Sequence, residues 1–525
     1  MIKKSGLLSL CLSFLMILSA CGGETVGEDG NVSKLKDGDL IVRENVNKIN
    51  IAAGSFDTFN PIMTKSPSVA EFMKSVCEPL FEYDEAYNPV GVLATNYAVS
   101  ANGMTVSFDV ASVAFHDGTP LTPADVVYTV NMIKENDTLY SDSVKYIKEI
   151  YADANGKVYI RLTNPVVNFA GMLNFPVVKR GTPNIVDANY IPVGTGAFKY
   201  FGKETSNQVT FTENTEWHGG STGYKRVIVN ILKDSNTVIH AFDAGAVDIL
   251  PSELFKGDDI TPRGEFVQND YTTNALTFLG INNTSNKLSG KSTRQALEML
   301  VDREKIVSVE LYSKGTPAKF PINPSAWFYP QIEEGERDYE AARKLLKTDG
   351  WEQRGDGFYK SIDGVEIQLS LRILVNQASD EKVRIAQNIA SAFSSFGIPT
   401  TLREMDFDGY KVNVSDKSYD LFIGEVITDK SMDPSFLTAS GGNYFGYVNA
   451  ELDEVLKTMA CTAEGNQILE LSKRYGEIFA LDMPFVPLFF RKENVIYSKN
   501  ISGICMPTCY RVYRDLDKWY ASQTK

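Results

Sequence analysis

Among the residue types that commonly act in catalysis or metal binding, histidine is the rarest in this sequence. The 525 residues include three histidines, His116, His218 and His240, and none of them belongs to an HExxH motif. Because that motif and clustered histidines mark many zinc sites, we expect no metal centre and no cofactor. Carboxylates are plentiful, so a two-carboxylate glycoside hydrolase stays open as the alternative among enzymes.

Positive charge is also in deficit. The 52 lysines and arginines face 66 aspartates and glutamates, which gives a formal net charge of −14. This balance argues against nucleic acid and anionic lipid surfaces as partners. A chain of this length exceeds what a single hydrophobic core normally covers, so two or three lobes are expected.

Long apolar runs are absent after the N-terminus, where a single run extends from Leu7 to Leu18 behind two lysines. Its length is typical of a secretory signal rather than a membrane span. The run ends in LSAC, which resembles the lipobox of bacterial lipoproteins. This resemblance implies that residues 1–20 are removed, that Cys21 carries lipid, and that the protein is held on the extracytoplasmic side of the cell membrane. An ordinary signal with a chance cysteine is the alternative. Residues 21–40 are rich in Gly, Asp and Glu and predict a flexible tether.

The other cysteines are few, and two of them are close together. Cys505 and Cys509 are separated by three residues, so outside the cytoplasm they favour either a small disulfide loop or two free thiols. A metal site is less favoured because no histidine lies near them in sequence.

A strand, a turn and a helix are predicted in succession around the sequence FHDGTPLTPADVV. Gly118 allows the positive φ that a tight turn needs, and Thr122 is placed to cap a helix. Pro123 suits the first helical position and Asp125 the third. We expect His116 to hydrogen-bond backbone in this turn.

The later part of the chain predicts a βαβ unit. A strand over 365–375 precedes a helix over 382–396, which carries apolar residues at helical spacing and ends at Gly397. A second strand over 400–405 follows, so a parallel pair with a right-handed crossover is expected. The fold class is therefore α/β.

Several of these segments together resemble a known family. The FHDG turn, the segment IPVGTGAFKY ending at Tyr200, and the sequence DPSFL from Asp433 occur in the order typical of family 5 extracellular solute-binding proteins. These are peptide- and nickel-binding receptors of ABC importers, and the matching segments run from about residue 49 to about 490.

The resemblance implies a periplasmic-binding-protein-like fold of the class II or cluster C type. Two α/β lobes would close on a cleft, and an extra smaller domain would carry the FHDG corner. The implied limits are 41–80, 191–282 and 491–525 for lobe I, 81–190 for the extra domain II, and 283–490 for lobe III.

The implied function is capture of a solute by hinge closure, with no catalysis. The expected partners are a peptide or another small solute, the permease subunits of an ABC transporter, and the membrane through the N-terminal lipid. We expect a monomer that binds no nucleic acid. An oligosaccharide, nickel or a metallophore stays open as the alternative ligand.

Asp429 is the expected counter-charge for a peptide ligand. In the peptide-binding members a carboxylate shortly before an acid–proline pair receives the free α-amino group, and Asp429 is the nearest match, five positions before Pro434 where four are usual. The alternative is a solvated loop acid beside Lys430. The other expected ligand-binding residues lie in loops and in the late segment over 419–429 that resembles the family: Ser55, Phe56, Trp327, Gly424, Glu425, Val426 and Tyr444.

Overall fold

The computed structural model describes residues 47–255, 261–332, 337–440 and 442–522. The predicted signal peptide, lipidated Cys21 and tether therefore lie outside the described residues. Among the described helices, none combines the length and apolar character needed to cross a bilayer.

The strands of the first half are short, and their bounds are as follows: β1 Lys48–Ala53, β2 Phe81–Tyr83, β3 Pro89–Gly91, β4 Ala94–Val99, β5 Thr105–Val110, β6 Ile147–Ala152, β7 Val158–Leu162, β8 Phe198–Thr205, β9 Gln208–Glu213, β10 Arg226–Ile231 and β11 Ile249–Pro251. The second half contains β12 Phe266–Ile281, β13 Gly315–Pro317, β14 Glu352–Arg354, β15 Gly357–Ile362, β16 Val365–Gln368, β17 Leu371–Asn376, β18 Thr400–Met405, β19 Leu421–Ile427, β20 Phe485–Ser498, β21 Ile501–Ser502 and β22 Tyr520–Ala521.

The helices are mostly in the second half, with these bounds: α1 Pro67–Met73, α2 Pro123–Glu135, α3 Ser235–Asp243, α4 Lys291–Leu300, α5 Arg303–Lys305, α6 Tyr339–Thr348, α7 Asp380–Phe396, α8 Phe407–Ser415, α9 Ser435–Thr438, α10 Ala450–Ala460 and α11 Gly465–Asp482. A π-helical turn, Ile306–Glu310, follows α5.

One large mixed sheet organises the molecule, with the order β18-β17-β19-β12-β20-β11-β1-β10-β9-β8. The long antiparallel strands β12 and β20 are neighbours within this order. At one end β11 pairs with β20 at residues 495–497, and at the other end β19 pairs with β12 at residues 275–281. Between these ends the β12–β20 register shifts after Thr272 and again after Thr277. The two long strands therefore join two halves of the sheet through an irregular stretch.

Separate hydrophobic clusters lie along the chain. One contains Ile49 and Phe211 on the β1 side of the sheet, and another contains Leu297 and Phe393 on the β19 side. A third, around Phe108, lies on the four-stranded sheet β4-β5-β7-β6 and its helix α2. The smaller sheet thus has a core of its own, because its apolar face packs against α2 rather than against the large sheet.

The strand–turn–helix prediction around the FHDG sequence is confirmed. Gly118 has φ +79°, α2 begins at Pro123, and the Thr122 amide donates to the Asp125 carboxylate at 2.8 Å. The His116 ring bonds backbone as expected: Nε2 lies 3.0 Å from the Gly196 carbonyl oxygen, and Nδ1 accepts from the Gly194 amide at 3.3 Å. The corner is therefore tied to a distant glycine-rich segment through one imidazole ring.

The βαβ prediction is confirmed in type, since β17 and β18 are parallel and α7 connects them. The prediction of one strand over 365–375 is wrong, because the structure has two strands there, β16 and β17. The Leu369 amide donates to the Phe358 carbonyl at 2.8 Å, which keeps the first part paired with β15. The second part then pairs with β18 in the large sheet. The cysteines Cys505 and Cys509 are free thiols, so the disulfide alternative is not realised.

Candidate binding site

A cavity of about 610 Å³ lies on the β19 side of the large sheet. Strand β19, helix α8 and the loop before Phe445 form its walls. Four residues that were predicted from sequence to bind ligand line this one cavity: Gly424, Glu425, Val426 and Tyr444. Its volume lies within the range of small-molecule binding pockets.

One edge of β19 is only partly paired where it borders this cavity. The parallel strand β17 pairs with β19 at Leu421 and Phe422. Among the described strands, none continues this pairing along residues 423–427. On the opposite edge β19 stays paired with β12 as far as Ile427. The cavity therefore borders a strand with one satisfied and one open edge.

The register determines which backbone groups face the open edge. The Thr428 amide donates to the Asn274 carbonyl of β12 at 2.9 Å. Since hydrogen-bonding directions alternate along an antiparallel strand, Val426 and Gly424 also face β12. Ile423, Glu425 and Ile427 then direct their amide and carbonyl groups to the open edge. The Tyr410 hydroxyl donates to the Ile423 carbonyl at 2.7 Å from that side, in agreement with this assignment.

Aromatic side chains form much of the cavity wall. Phe407 and Tyr410 come from α8, Phe422 from β19, and Tyr444 from the loop. Phe407 is 55% exposed and Tyr444 46% exposed, so both present ring surface to solvent. Such exposed rings beside an open strand edge provide apolar contact area for a ligand.

Gly424 is required by close packing across the sheet. A Cβ atom at this position would lie 2.4 Å from the Phe278 ring. The glycine thus lets that ring pack beside β19, where it lines the cavity. Ligand binding by this residue stays a prediction, whereas the structure shows its packing role.

Glu425 lies in a network of charges. Its carboxylate accepts from the Arg491 guanidinium at 2.9 Å and lies 3.6 Å from the Lys382 ammonium. Burial alone would raise the pKa of Glu425, but the charges of Arg491 and Lys382 and the hydrogen bond from Arg491 hold it below its ordinary value. The Thr277 hydroxyl donates a further bond at 3.2 Å. Glu425 is therefore ionised and bonded within the protein.

Asp429 follows β19 and contacts the four-stranded-sheet region. Its carboxylate lies 2.9 Å from the Lys145 ammonium and accepts from the Tyr146 hydroxyl at 3.1 Å. The Ser431 amide also donates to it, at 3.0 Å. The side chain is 14% exposed, so it is largely enclosed by these partners. The alternative that Asp429 is a solvated loop acid is therefore wrong. Its carboxylate is already paired with a cation of the protein, the Lys145 ammonium.

The remaining predicted residues lie apart from the cavity. Ser55 follows β1 and its carbonyl accepts from the Ser66 hydroxyl at 2.6 Å, while the Phe56 ring packs 4.7 Å from that of Phe59. Trp327 is half-buried, and its amide donates to the Ala86 carbonyl at 2.6 Å. The cavity lining includes none of these three residues, and it does not include Asp429.

Sequence reasoning missed the contribution of α8. Asp406 caps this helix by accepting from the Gly409 amide at 2.7 Å, and Phe407, Tyr410 and Val414 follow at helical spacing. The capping residue and this spacing were readable signals of a helix with an apolar face. That this face borders a cavity depends on how α8 packs on β19 and on the loop before Phe445, which the spacing within α8 does not reveal.

One sequence match to a serine-hydrolase motif does not form a nucleophile elbow. The pentapeptide GGSTG ending at Gly223 matches G-x-S-x-G, but it lies in a loop before strand β10. A nucleophile elbow requires a strand-to-helix turn instead. Within the described ranges, no group of three His, Cys, Asp or Glu residues is arranged to hold a metal ion.

Comparison with known proteins agrees with this architecture. The family described as bacterial extracellular solute-binding proteins, family 5 Middle, matches residues 88–446. The oligopeptide-binding protein AppA of Bacillus subtilis (strain 168) is 24% identical over 570 aligned positions, which cover 98% of each chain.

Solved structures share the fold. The murein tripeptide-binding protein MppA in its unliganded open form superposes with a TM-score of 0.74 at 17% identity, covering 91% of this chain and 98% of that one. AppA from Bacillus subtilis in complex with a nonapeptide gives a TM-score of 0.54 at 21% identity, covering 91% and 99%. The fold is that of two-lobed periplasmic-binding-protein-like receptors, and the chain belongs to family 5 of the bacterial extracellular solute-binding proteins.

Proposed function

We propose that this protein is the extracytoplasmic receptor of an ABC importer and that it captures peptides without chemical turnover. The observation that carries the proposal is the open edge of β19 beside the cavity. An extended peptide presents its own amide and carbonyl groups at the same spacing as a strand. Such a ligand satisfies the outward groups of Glu425 and Ile427 whatever its side chains are.

The long strands β12 and β20 supply a route for closure. They connect the two halves of the large sheet, and their register shifts near Thr272 and Thr277. An irregular stretch in two connecting strands is a place where a hinge can bend with small loss of pairing. Closure around a bound peptide would then trap it between the halves, which we assign as lobes I and III.

The segment Asp429–Asp433 supports a closed arrangement. Besides the Lys145–Asp429 ion pair, the Lys430 ammonium donates to the Asn174 carbonyl at 2.6 Å. The Val167 amide donates to the Asp433 carboxylate at 3.2 Å. These contacts link lobe III to the domain that we assign to residues 81–190, so that domain takes part in closing the receptor.

Asp429 is the group that we assign to the α-amino end of the ligand. A buried ammonium without a partner costs several kcal/mol, and a charge-assisted hydrogen bond offsets that cost. The carboxylate already holds one ammonium, that of Lys145, at 2.9 Å. The site thus has the chemistry to bind an amine, and a ligand amine would share or replace this internal partner.

The relatives favour a peptide over other solutes. AppA of Bacillus subtilis is named an oligopeptide-binding protein and matches this chain over nearly its whole length. We further propose that Cys21 is lipidated and anchors the receptor outside the cytoplasm, where it delivers its ligand to the permease subunits.

Native mass spectrometry of the purified mature protein tests the ligand class. The proposal predicts a bound mass that denaturing extraction resolves into peptides. Fragmentation spectra of the extract should show amino-acid sequence ions. Extracts that contain sugars or a metal chelate and no peptide would contradict the proposal, and so would consumption of added peptide during incubation.

A further inference from the structure

Lys145 and Asp429 form an ion pair between two parts of the molecule that are far apart in sequence. Lys145 follows the 3₁₀ turn Ser141–Val144, which precedes β6, whereas Asp429 follows β19. The Lys145 ammonium lies 2.9 Å from Oδ2 of Asp429, and the Tyr146 hydroxyl donates to the same oxygen at 3.1 Å. The Ser431 amide and hydroxyl both donate to Oδ1. Each carboxylate oxygen therefore has protein donors, and Lys145 supplies the cation.

The two members of the pair differ in their access to solvent. The Lys145 side chain is 38% exposed, and the Asp429 side chain is 14% exposed. The Lys145 ammonium also lies 4.9 Å from the centroid of the Tyr146 ring, within the range of a cation–π contact. A partly exposed lysine can turn into water at small cost, whereas a largely enclosed carboxylate that loses its cation pays a desolvation penalty. The carboxylate therefore needs a cation more than the lysine needs this carboxylate.

This difference has opposite consequences for two kinds of peptide. Under the proposed function, a peptide with a free α-amino group brings its own ammonium to Asp429, and Lys145 can then move into solvent. A peptide whose amino end is acylated brings no cation, and Lys145 can then stay 2.9 Å from the carboxylate. In both cases Asp429 keeps one cationic partner.

We propose that Lys145 substitutes for the α-amino group of the ligand, so that the receptor also takes peptides whose amino end is acylated. The inference rests on the proposed function, because it uses the assignment of Asp429 to the ligand's amino end. It deepens that function by adding a ligand class and by naming the residue that sets the preference between free and acylated peptides.

The preference for a free amino group then reflects a competition for one carboxylate. A free peptide must displace Lys145 from Asp429, which offsets part of the gain from its own charge-assisted hydrogen bond. An acylated peptide leaves the internal pair intact, so it does not bury an unpaired carboxylate. Lys145 therefore reduces the ratio between the two affinities, and its removal should increase that ratio.

Two compounds of equal backbone length isolate the contribution of the amino group. Pentaalanine carries a free α-amino group, and N-propionyl-tetraalanine has a hydrogen atom in its place. Because the acyl compound adds no bulk, a difference in affinity reports the ammonium. Calorimetry gives the dissociation constant of each compound for wild type, Lys145→Met, Lys145→Gln, Lys145→Arg and Lys148→Met, the last being a control at an exposed lysine on β6.

The inference predicts that the ratio of the two dissociation constants, acyl compound over pentaalanine, is at least tenfold larger in Lys145→Met than in wild type. Pentaalanine should bind this variant more tightly, and N-propionyl-tetraalanine more weakly. Lys145→Gln should give a similar increase, which separates the loss of charge from the introduction of an apolar side chain. Lys145→Arg keeps a cation and Lys148→Met keeps Lys145, so both should retain the wild-type ratio.

A purely structural ion pair predicts a different result. Removal of Lys145 would then weaken both compounds by the same factor, and this unchanged ratio would overturn the inference while leaving peptide capture intact. Equal affinity of the two compounds for wild type would also overturn it, because Asp429 would then receive no ligand ammonium. Binding of neither compound by wild type would instead contradict the proposed function, in which backbone groups capture a peptide whatever its side chains are.

Discussion

The Tyr410 hydroxyl donates to the Ile423 carbonyl oxygen at 2.7 Å, at the point where β17 stops pairing with β19. This bond satisfies one backbone group at the beginning of the open edge. The groups that follow on the same edge, those of Glu425 and Ile427, have no strand partner among the described residues. The Tyr410 side chain thus supplies a hydrogen bond to the open edge at Ile423. Under the proposed function, a peptide ligand supplies the hydrogen bonds at Glu425 and Ile427.

Replacing Gly424 with valine should disturb both folding and binding. The new Cβ would lie 2.4 Å from the Phe278 ring, and overpacking of this kind costs about 1–3 kcal/mol of the free energy of unfolding. Urea unfolding measures this loss. Gly202→Ala, at a position with open space around the added Cβ, is the matched control and should unfold near the wild-type midpoint. Wild-type stability in Gly424→Val would contradict the packing.

His116 should make stability depend on pH. Burial lowers its pKa below the ordinary value near 6.5, so the folded protein holds the neutral ring. Its contribution is complete above pH about 6.5 and is lost as pH falls through the folded-state pKa, because the unfolded chain binds the proton more readily.

The measurement is urea unfolding of wild type and His116→Gln from pH 5 to 8. In wild type the free energy of unfolding should decrease as pH falls, and in His116→Gln this decrease should be smaller. The exposed His240→Gln variant should keep the wild-type profile. A His116→Gln profile parallel to that of wild type would contradict the assignment of the acid-side decline to this ring.

Asp429 should discriminate between free and blocked peptide amino groups. Wild type is expected to bind a free peptide at least tenfold more tightly than its N-acetylated form, since only the ammonium pairs with the carboxylate. Asp429→Asn should bind both forms about equally, whereas exposed Asp416→Asn should behave like wild type. Equal affinities in wild type would remove Asp429 from the site.

Cys21 should determine where the protein resides. Wild type is expected to partition with membranes and to show an N-terminal mass that includes diacylglycerol. Cys21→Ser should release the receptor from the membrane fraction without changing peptide affinity. Membrane retention of Cys21→Ser would show that the LSAC sequence is not a lipid-attachment site.

Features encoded by neighbouring residues could be predicted from the sequence. The cap and turn around Gly118 and α2, and the succession of β17, α7 and β18, depend on spacing and capping within short segments. The family resemblance selected Gly424, Glu425 and Val426, which the structure places together on β19. These are the parts of the fold where local preferences and the final structure agree.

Features that depend on distant contacts could not be predicted. The N-terminal part of β12 contains the polar sequence QNDYTTN, and its strand conformation depends on pairing with β20 more than two hundred residues later. The Lys145–Asp429 ion pair has no signature in either segment.

Hydrogen exchange along β19 tests peptide capture at the open edge most directly. Amide-resolved mass spectrometry would compare residues 421–428 with and without a saturating peptide. The account predicts at least tenfold slower exchange of the Glu425 and Ile427 amides. The Gly424 and Val426 amides, which already face β12, should change much less. Unchanged exchange at Glu425 and Ile427 with peptide bound would contradict the account.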